Sequence, residues 1–460
     1  MDKLQKIYDS SPIFFQNIMC TMSGMRKNKA RYRDNYLRER AFCAEFDTWP
    51  LEKQLEYQRE ELVKFVKFAY NNSKFYHELY NDCDIEHFSS VEDLKRLPIV
   101  DKEMLRANIE DASTVTAATG GMASNTGGTS GKSLTVFRTI DDANARMAML
   151  DHFKSRLGFE NLKMKKATFN GKHIIPPNQK KHVYWRYNAV SKQMIYSSFF
   201  LTEDKIGYYV DSLNKFKPQA IDGFFTSICD VASYVERHGI SLTFKPIAIF
   251  PTSETLTDSG RELIERVFGC KVYDQYASSE GAPFVTECKN QTLHIDLNTG
   301  VFEILDNNEI LVTAFHTHGT PLIRYAIGDK MIPADEGATC SCGLHGTIIK
   351  RIQGRRLDFL YSSTGARINA GNVSNLLKHL PNSVIRAQFV QNELKKVDLY
   401  VEVDKSKFDA AAIPLILDEC RHTLGSDMQV EVHVVDEIPR AASGKYRFII
   451  NNLAMSEEQG

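Results

Sequence analysis

Charge of one sign is what this sequence most plainly lacks. Its 57 Lys and Arg residues balance 58 Asp and Glu over 460 residues, leaving a formal net charge of −1. A chain so balanced offers no global electrostatic case for nucleic acid. Long apolar runs are missing too. The one apolar stretch near the start, 12–25, is interrupted by Gln16 and Asn17, and a spanning helix takes roughly 20 apolar residues. Residues 1–11 are polar and hold no apolar core of a signal peptide. The nine cysteines are too unevenly spaced to form a secreted disulfide framework. A reducing, cytoplasmic setting is the expectation. Internal repeats, low-complexity tracts and a long Pro/Gly linker are also absent.

What is present is an ordinary globular composition, 43% hydrophobic and 25% charged, long enough for two domains. After the run at 12–25 come Arg26, Lys27, Lys29, Arg31 and Arg33. Such a segment reads either as a helix docked on the protein's own body, the commoner case, or as a surface anchor. Membrane contact is at most peripheral on this reading. Residues 51–80 carry Leu55, Leu62, Phe65, Val66, Phe68 and Ala69 at helical spacing, which predicts a packing helix. From 96 to 250 strand-like and helix-like segments alternate, as in a layered α/β domain. Strands are expected at 243–250 and 272–276, with a helix at 258–268 between them. Near 355 the grain changes: strands at 384–390, 397–403 and 429–435 alternate with helices at 373–379 and 410–424. This predicts a small α+β appendage of about 100 residues.

The chemistry gathers in five motifs. The first is Thr126-Gly127-Gly128-Thr129-Ser130-Gly131-Lys132-Ser133. It nearly fits the Walker pattern of kinases and GTPases, but Thr126 stands where that pattern needs its first glycine. A Walker loop also opens a helix, whereas residues 134–140 alternate like a strand. A Gly/Ser/Thr loop between two strands still offers N–H groups and hydroxyls to a triphosphate. The second motif is Tyr276-Ala277-Ser278-Ser279-Glu280-Gly281, where Glu280 suits magnesium and Tyr276 the face of an adenine. The third places Asp329 behind Gly328 at the expected end of a strand, fit to grip ribose hydroxyls. The fourth, Gly354-Arg355-Arg356-Leu357-Asp358, offers Arg355 to ribose or phosphate and Asp358 as a hinge at the composition break. The fifth, ending in Gly444-Lys445, sets a lysine where charge builds on a carboxylate and an α-phosphate. Singly, each is more often a plain turn.

A metal set stands apart from these. Cys288 and His294, with Cys340 and Cys342, offer the three thiolates and one imidazole of a tetrahedral zinc site, with His345 the alternative imidazole; the other reading is two unrelated pairs of thiols. Four protein ligands leave no open position, so such zinc is structural. His316 and His318 alternate as on one strand face and read as satisfied histidines or the floor of a site, with metal ligation the less common alternative. Trp185 reads as core or as the wall of an acyl pocket, and Cys229 and Cys270 as buried structural thiols.

Taken in order, the five motifs resemble the adenylate-forming superfamily over essentially the whole chain. The likeness is nearest to its phenylacetate–coenzyme A ligase-like branch, in particular to relatives linked to capsular polysaccharide biosynthesis. Asn71-Asn72-Ser73-Lys74-Phe75-Tyr76, Leu97-Pro98-Ile99-Val100-Asp101-Lys102 and the opening at 12–33 carry that part of the resemblance, as does Cys340-Ser341-Cys342-Gly343. It implies an α/β fold, with a large multi-layered N-terminal adenylation domain (1–355, its first 95 residues mainly a helical lead-in) and a small mobile C-terminal α+β domain (356–460) carrying the catalytic Lys445. It also implies ATP, magnesium on Glu280, and a nucleotide held by the 126–132 loop, Ser253, Glu254, residues 276–279, Asp329 and Arg355. The chain departs from the superfamily at Ala277 and Ser279, which replace Gly and Thr. The coenzyme A-type loop of the branch is replaced by Ser362-Ser363-Thr364-Gly365-Ala366-Arg367-Ile368. The expected reaction is therefore activation of a small-molecule carboxylate and transfer to an amine or hydroxyl of a sugar or amino acid. Acyl or aryl transfer to coenzyme A is the alternative, and a non-catalytic, zinc-stabilised binding module the second. The residues name neither the carboxylate nor the oligomeric state.

Overall fold

A computed structural model describes residues 3–125, 134–176, 179–353, 359–376, 384–403, 408–409, 411–438 and 448–453. The chain opens with helices α1 (Lys3–Ser10), α2 (Ile13–Arg31), α3 (Asp34–Phe46), α4 (Leu51–Asn72) and α5 (Lys74–Leu79). The single helix expected at 51–80 breaks at Ser73. That residue is extended (φ −114°, ψ 121°), and its hydroxyl accepts the Tyr76 N–H to cap α5. The buried face of α4 is Gln54, Gln58, Leu62, Phe65, Val66 and Ala69. Burying a Leu, Phe or Val side chain contributes about 1.5–3 kcal/mol. Gln58 Nε2 donates to the Gly300 carbonyl at 2.7 Å, so this helix packs on the sheet described next.

Two sheets make the body. One is antiparallel, in the order Gly300–Ile304, Glu309–Ala314, Leu322–Pro333, Ile348–Gln353, Leu293–Ile295, Val285–Glu287, Gln275–Tyr276. The other runs Trp185–Asn188, Gln193–Ser197, Lys166–Asn170, Ala220–Phe224, Ala248–Thr252, Lys271–Val272, parallel except at its first edge. Helices Glu203–Phe216, Phe225–Arg237 and Asp258–Phe268 alternate with the parallel strands, the βαβ crossover pattern of α/β layers. The strand expected at 243–250 begins only at Ala248; Pro246 lies just before it and has no N–H for a ladder. The 272–276 segment is two short strands, one at the edge of each sheet, so the chain crosses there from one sheet to the other.

The remaining strand edge, Trp185–Asn188, is covered by α2 in an inverted way. The helix turns polar residues inward. Asn17 Oδ1 accepts the Tyr187 N–H at 2.9 Å, and Thr21 Oγ1 accepts the Ala189 N–H at 3.1 Å. Side chains thereby supply the partners that a further strand would give to an open edge.

Beyond Phe359 a hairpin (Phe359–Tyr361 with Arg367–Asn369) precedes a four-stranded sheet ordered Gln429–Val435, Lys396–Val403, Val384–Glu393, Ile449–Asn451. Helix Ala412–Leu424 packs Ile416, Cys420 and Leu424 into its core. Phe199, from the larger part, belongs to the same apolar cluster. A Cβ at Gly171 would overlap the Asn372 side chain, so glycine permits this close approach of the two parts.

Candidate active site

The 276–281 segment leaves the edge strand Gln275–Tyr276 and turns on Ser278, whose hydroxyl accepts the N–H groups of Gly281 (3.1 Å) and Ala282 (3.0 Å). Gly281 has φ +120°, a conformation costly for any residue with a Cβ. Beneath the turn, Arg146 of helix Ile140–Arg156 donates Nη1 to the carbonyls of Gly281 (2.7 Å) and Ala282 (2.9 Å). Burial lowers its pKa to about 9, which leaves the guanidinium charged at neutral pH.

The strands flanking the 126–133 loop fasten onto the same turn. Met122–Asn125 and Thr135–Arg138 pair antiparallel, so a strand follows the glycine-rich segment, as its alternation predicts and as a Walker loop forbids. Ser124 Oγ donates to the Ser279 carbonyl at 3.5 Å, and Arg138 Nη2 donates to the same oxygen. Burial lowers the Arg138 pKa, and the charge of Glu280 opposes that shift. Tyr276 is buried, and its hydroxyl donates to Asp329 Oδ2 at 2.9 Å. Asp329 does not end its strand as expected. The strand continues to Pro333, and Gly328 (φ +84°) lies in a register shift between Ala326 and Lys330. A bulge of this kind re-aims one side chain without ending the ladder.

Ser253 lies at the end of strand Ala248–Thr252 with φ +67°, a strained value for a residue with a Cβ. Glu254 beside it accepts the Thr226 N–H (2.7 Å) and Thr226 Oγ1 (3.0 Å) at the start of helix Phe225–Arg237. Burial raises its pKa to about 7 against those bonds and one from Asn369. Asp230, one turn along, is raised to about 6 by burial and lies 3.8 Å from Arg367 Nη1. The hairpin 359–369 thus touches the wall that holds Glu254.

The four proposed zinc ligands meet. Cys288 Sγ, His294, Cys340 Sγ and Cys342 Sγ offer atoms within 4.8 Å of one another. Cys288 and Cys340 sulfurs are 3.7 Å apart, and Cys342 Sγ is 3.5 Å from His294 Nε2. A tetrahedron with Zn–S of about 2.3 Å and Zn–N of about 2.05 Å requires separations of about 3.8 and 3.6 Å. The donor set therefore fits zinc. Backbone N–H groups of Asn290 and Leu344 point at two of the sulfurs (3.4 and 3.3 Å), and His294 Nδ1 meets the Gly346 carbonyl at 3.1 Å. Such contacts orient ligands from behind. His345 is exposed and outside the cluster, and the imidazole that meets the three thiols is that of His294.

Three sequence expectations need correction or placing. His316 and His318 are not on a strand: Glu309–Ala314 has ended, and Thr317 Oγ1 donates back to the Ala314 carbonyl. His318 Nδ1 instead meets Asp142 at 2.7 Å. Trp185 packs on Tyr196 and Tyr209 in the core. Thr126, Gly127, Gly128, Thr129, Ser130, Gly131, Lys132, Arg355, Asp358 and Lys445 lie outside the described residues. Arg138 and Arg146 escaped the sequence reading. On a helix or strand, an arginine that braces carbonyls has the same spacing as one on the surface.

A family model described as the CapK C-terminal domain matches residues 360–452. Protein CapK of Staphylococcus aureus is 35% identical over 455 residues, covering 98% of this chain and 100% of that protein. Among solved structures, 2-hydroxyisobutyryl-CoA ligase in complex with 2-HIB-AMP and CoA in the thioesterification state aligns with a TM-score of 0.58 at 17% identity, over 90% of this chain and 93% of that one. The same enzyme in the postadenylation state with 2-HIB-AMP gives 0.55 at 17%, over 89% and 93%. At that identity the likeness is one of fold.

Proposed function

The chain belongs to the CapK family and has the fold of an adenylate-forming ligase, and we propose that it activates a carboxylate with ATP and passes the acyl group to an amine or hydroxyl in surface-polysaccharide biosynthesis. One observation carries this reading: within one short segment Ser279 is bonded to both strands flanking the glycine-rich loop, and Tyr276 is bonded to Asp329. The 276–281 turn thereby joins the strands on either side of the loop to Asp329, which supports a site serving a nucleotide's phosphates, base and ribose together.

In the first step a carboxylate oxygen bonds to the α-phosphorus as the bond to the bridging oxygen of pyrophosphate breaks. Pyrophosphate leaves with that electron pair. Magnesium, when bound, neutralises triphosphate oxygens, and Glu280 is the residue assigned to it. Arg146 and Arg138 hold the turn that carries Glu280, so its position costs no reorganisation during reaction. Asp329 accepts from ribose hydroxyls, with Tyr276 fixing its carboxylate. Lys445 balances the growing charge. In the second step the acceptor attacks the acyl carbon and AMP departs, after the part beyond Asp358 has turned. Cys288 and His294 of the 285–295 hairpin, with Cys340 and Cys342 of the segment before Ile348, would hold zinc, which would clip the two together and have no catalytic part.

Coenzyme A as acceptor is the second reading, since the ligase that shares the fold has CoA in its complex. Against it, residues 362–366 form a tight turn: Ser362 N–H donates to the Ala366 carbonyl at 2.8 Å and Ser363 N–H to Leu424 at 2.7 Å. Its first cation, Arg367, faces Asp230. The deciding experiment is carboxylate-dependent ATP–pyrophosphate exchange, followed by acceptor capture from the adenylate. Exchange with one acid class, lost in Lys445→Ala, supports adenylation; thioester formation selects coenzyme A. A folded wild type without exchange across aryl, acyl and amino acids would favour the non-catalytic binding module.

A further inference from the structure

We infer that α2 is an interfacial helix that seats the protein on an anionic lipid surface. The argument begins with its inverted faces. At 3.6 residues per turn, Phe14, Phe15, Ile18, Met22 and Met25 fall within an arc of about 100°. All five are exposed, at 69, 54, 39, 62 and 56%. The opposite side carries Gln16, Asn17, Thr21, Gly24 and Asn28. Gln16 and Gly24 are buried. Asn17 and Thr21 serve the strand edge, and Asn28 Nδ2 donates to Ser191 Oγ at 3.2 Å. The helix is therefore docked through its polar side, and no rotation can hide the apolar side without stripping the edge of its partners. A contiguous apolar stripe held outward by its own docking is an interaction surface.

Charge selects the occupant. Residues 3–33 hold seven Lys and Arg against one acidic side chain, Asp9, on a chain whose total is −1. Arg26, Lys27, Lys29, Arg31 and Arg33 are all exposed. Lys29 continues the apolar arc one turn beyond Met25, where its stem can lie on acyl chains while the ammonium reaches headgroup phosphates. A second copy of this chain would bring an equally basic segment against the stripe. Among the described residues no helix is long and apolar enough to cross a bilayer. An apolar face of this width beside a basic cluster lies in the headgroup plane instead. The inference does not depend on the proposed reaction.

Flotation of the full chain with vesicles tests it, using phosphatidylcholine alone and phosphatidylcholine mixed with phosphatidylglycerol. Binding is expected only to the anionic vesicles and should weaken as salt rises. Arg26→Gln, Lys27→Gln and Lys29→Gln together should lower partition about a hundredfold, each basic residue near such a surface being worth about 1 kcal/mol. Phe14→Ser, Ile18→Ser and Met22→Ser together should abolish flotation and leave the melting curve unchanged. No flotation of wild type on anionic vesicles at low salt would overturn the inference, as would equal binding to neutral ones. So would sedimentation showing a dimer that the serine variant dissociates.

Discussion

Removing one ligand of the Cys288–His294–Cys340–Cys342 cluster gives a prediction whose size follows from the structure. Cys288 and Cys340 are 52 residues apart in sequence, and their sulfurs are 3.7 Å apart. A bound zinc therefore closes a long loop. The chain-entropy expression for a cross-link over such a loop gives about 4 kcal/mol at 25 °C. Cys288 and His294 are 4% and 2% exposed, so the unliganded site also leaves a thiol and an imidazole buried. The protein is expected to carry one zinc per chain, read by elemental analysis. Cobalt exchanged into the site should show the intense thiolate charge-transfer bands of a tetrahedral centre. Cys340→Ser should lower the midpoint of thermal unfolding by on the order of 5–10 °C, as should a strong chelator on wild type. Cys83→Ser, which removes a cysteine outside the cluster, should not change zinc content. Purified protein with no zinc and a melt indifferent to chelator would refute the reasoning.

Arg146→Met should destabilise by about 2–4 kcal/mol, because two carbonyls lose their buried donor, and should depress ATP–pyrophosphate exchange more than Arg146→Lys does. Tyr276→Phe should raise KM for ATP about tenfold, equivalent to about 1.4 kcal/mol, with kcat little changed. His173 stacks on Phe199 and lies 4.1 Å, ring to ring, from His422; burial and then that neighbour lower its pKa from 6.5 to about 3. The unfolded chain thus binds a proton that the folded one refuses, so this stability is intact above about pH 6.5 and is lost as pH falls toward 3, by about 2 kcal/mol at pH 5. Melts of wild type and His173→Asn between pH 8 and 5 should diverge by that amount, and parallel curves would remove His173 as the cause.

Much of the layered architecture was legible because local and global preferences agree. Helix Asp258–Phe268 and strand Gln429–Val435 have the bounds that their patterns predict. Thr135–Arg138 is a strand as its alternation demands. Disagreements arise where tertiary partners decide. Ser73 breaks a helical pattern because its hydroxyl also reaches the Asp111 carbonyl at 3.0 Å. The stretch 315–318 leaves its strand because Gly319 must pass against the backbone of Phe137. The polar docking of α2 was invisible because hydrophobic patterning assumes an apolar receptor, and the receptor here is a strand edge. For the site, spacing singled out the three thiols and the imidazole that meet; the arginines that brace the carbonyls of the 276–281 turn carry no such mark.

The braces also divide the site into a fixed and a yielding part. The turn 276–281 is held by charged donors on backbone carbonyls from two separate elements, those of Arg146 in a buried setting. The opposite wall meets the hairpin 359–369 through Glu254 with Asn369 and Asp230 with Arg367. Burial raises Glu254 to about 7, so its charge is about half developed near neutral pH, while Asp230, raised to about 6, stays largely ionised beside Arg367. A reaction in two stages needs the nucleotide turn to stay while the smaller part moves. A half-neutral Glu254 and a part-exposed Asp230–Arg367 pair separate at lower cost than buried, fully paired ions. The asymmetry between these two sets of contacts therefore suits the order proposed: nucleotide held first, acceptor admitted second.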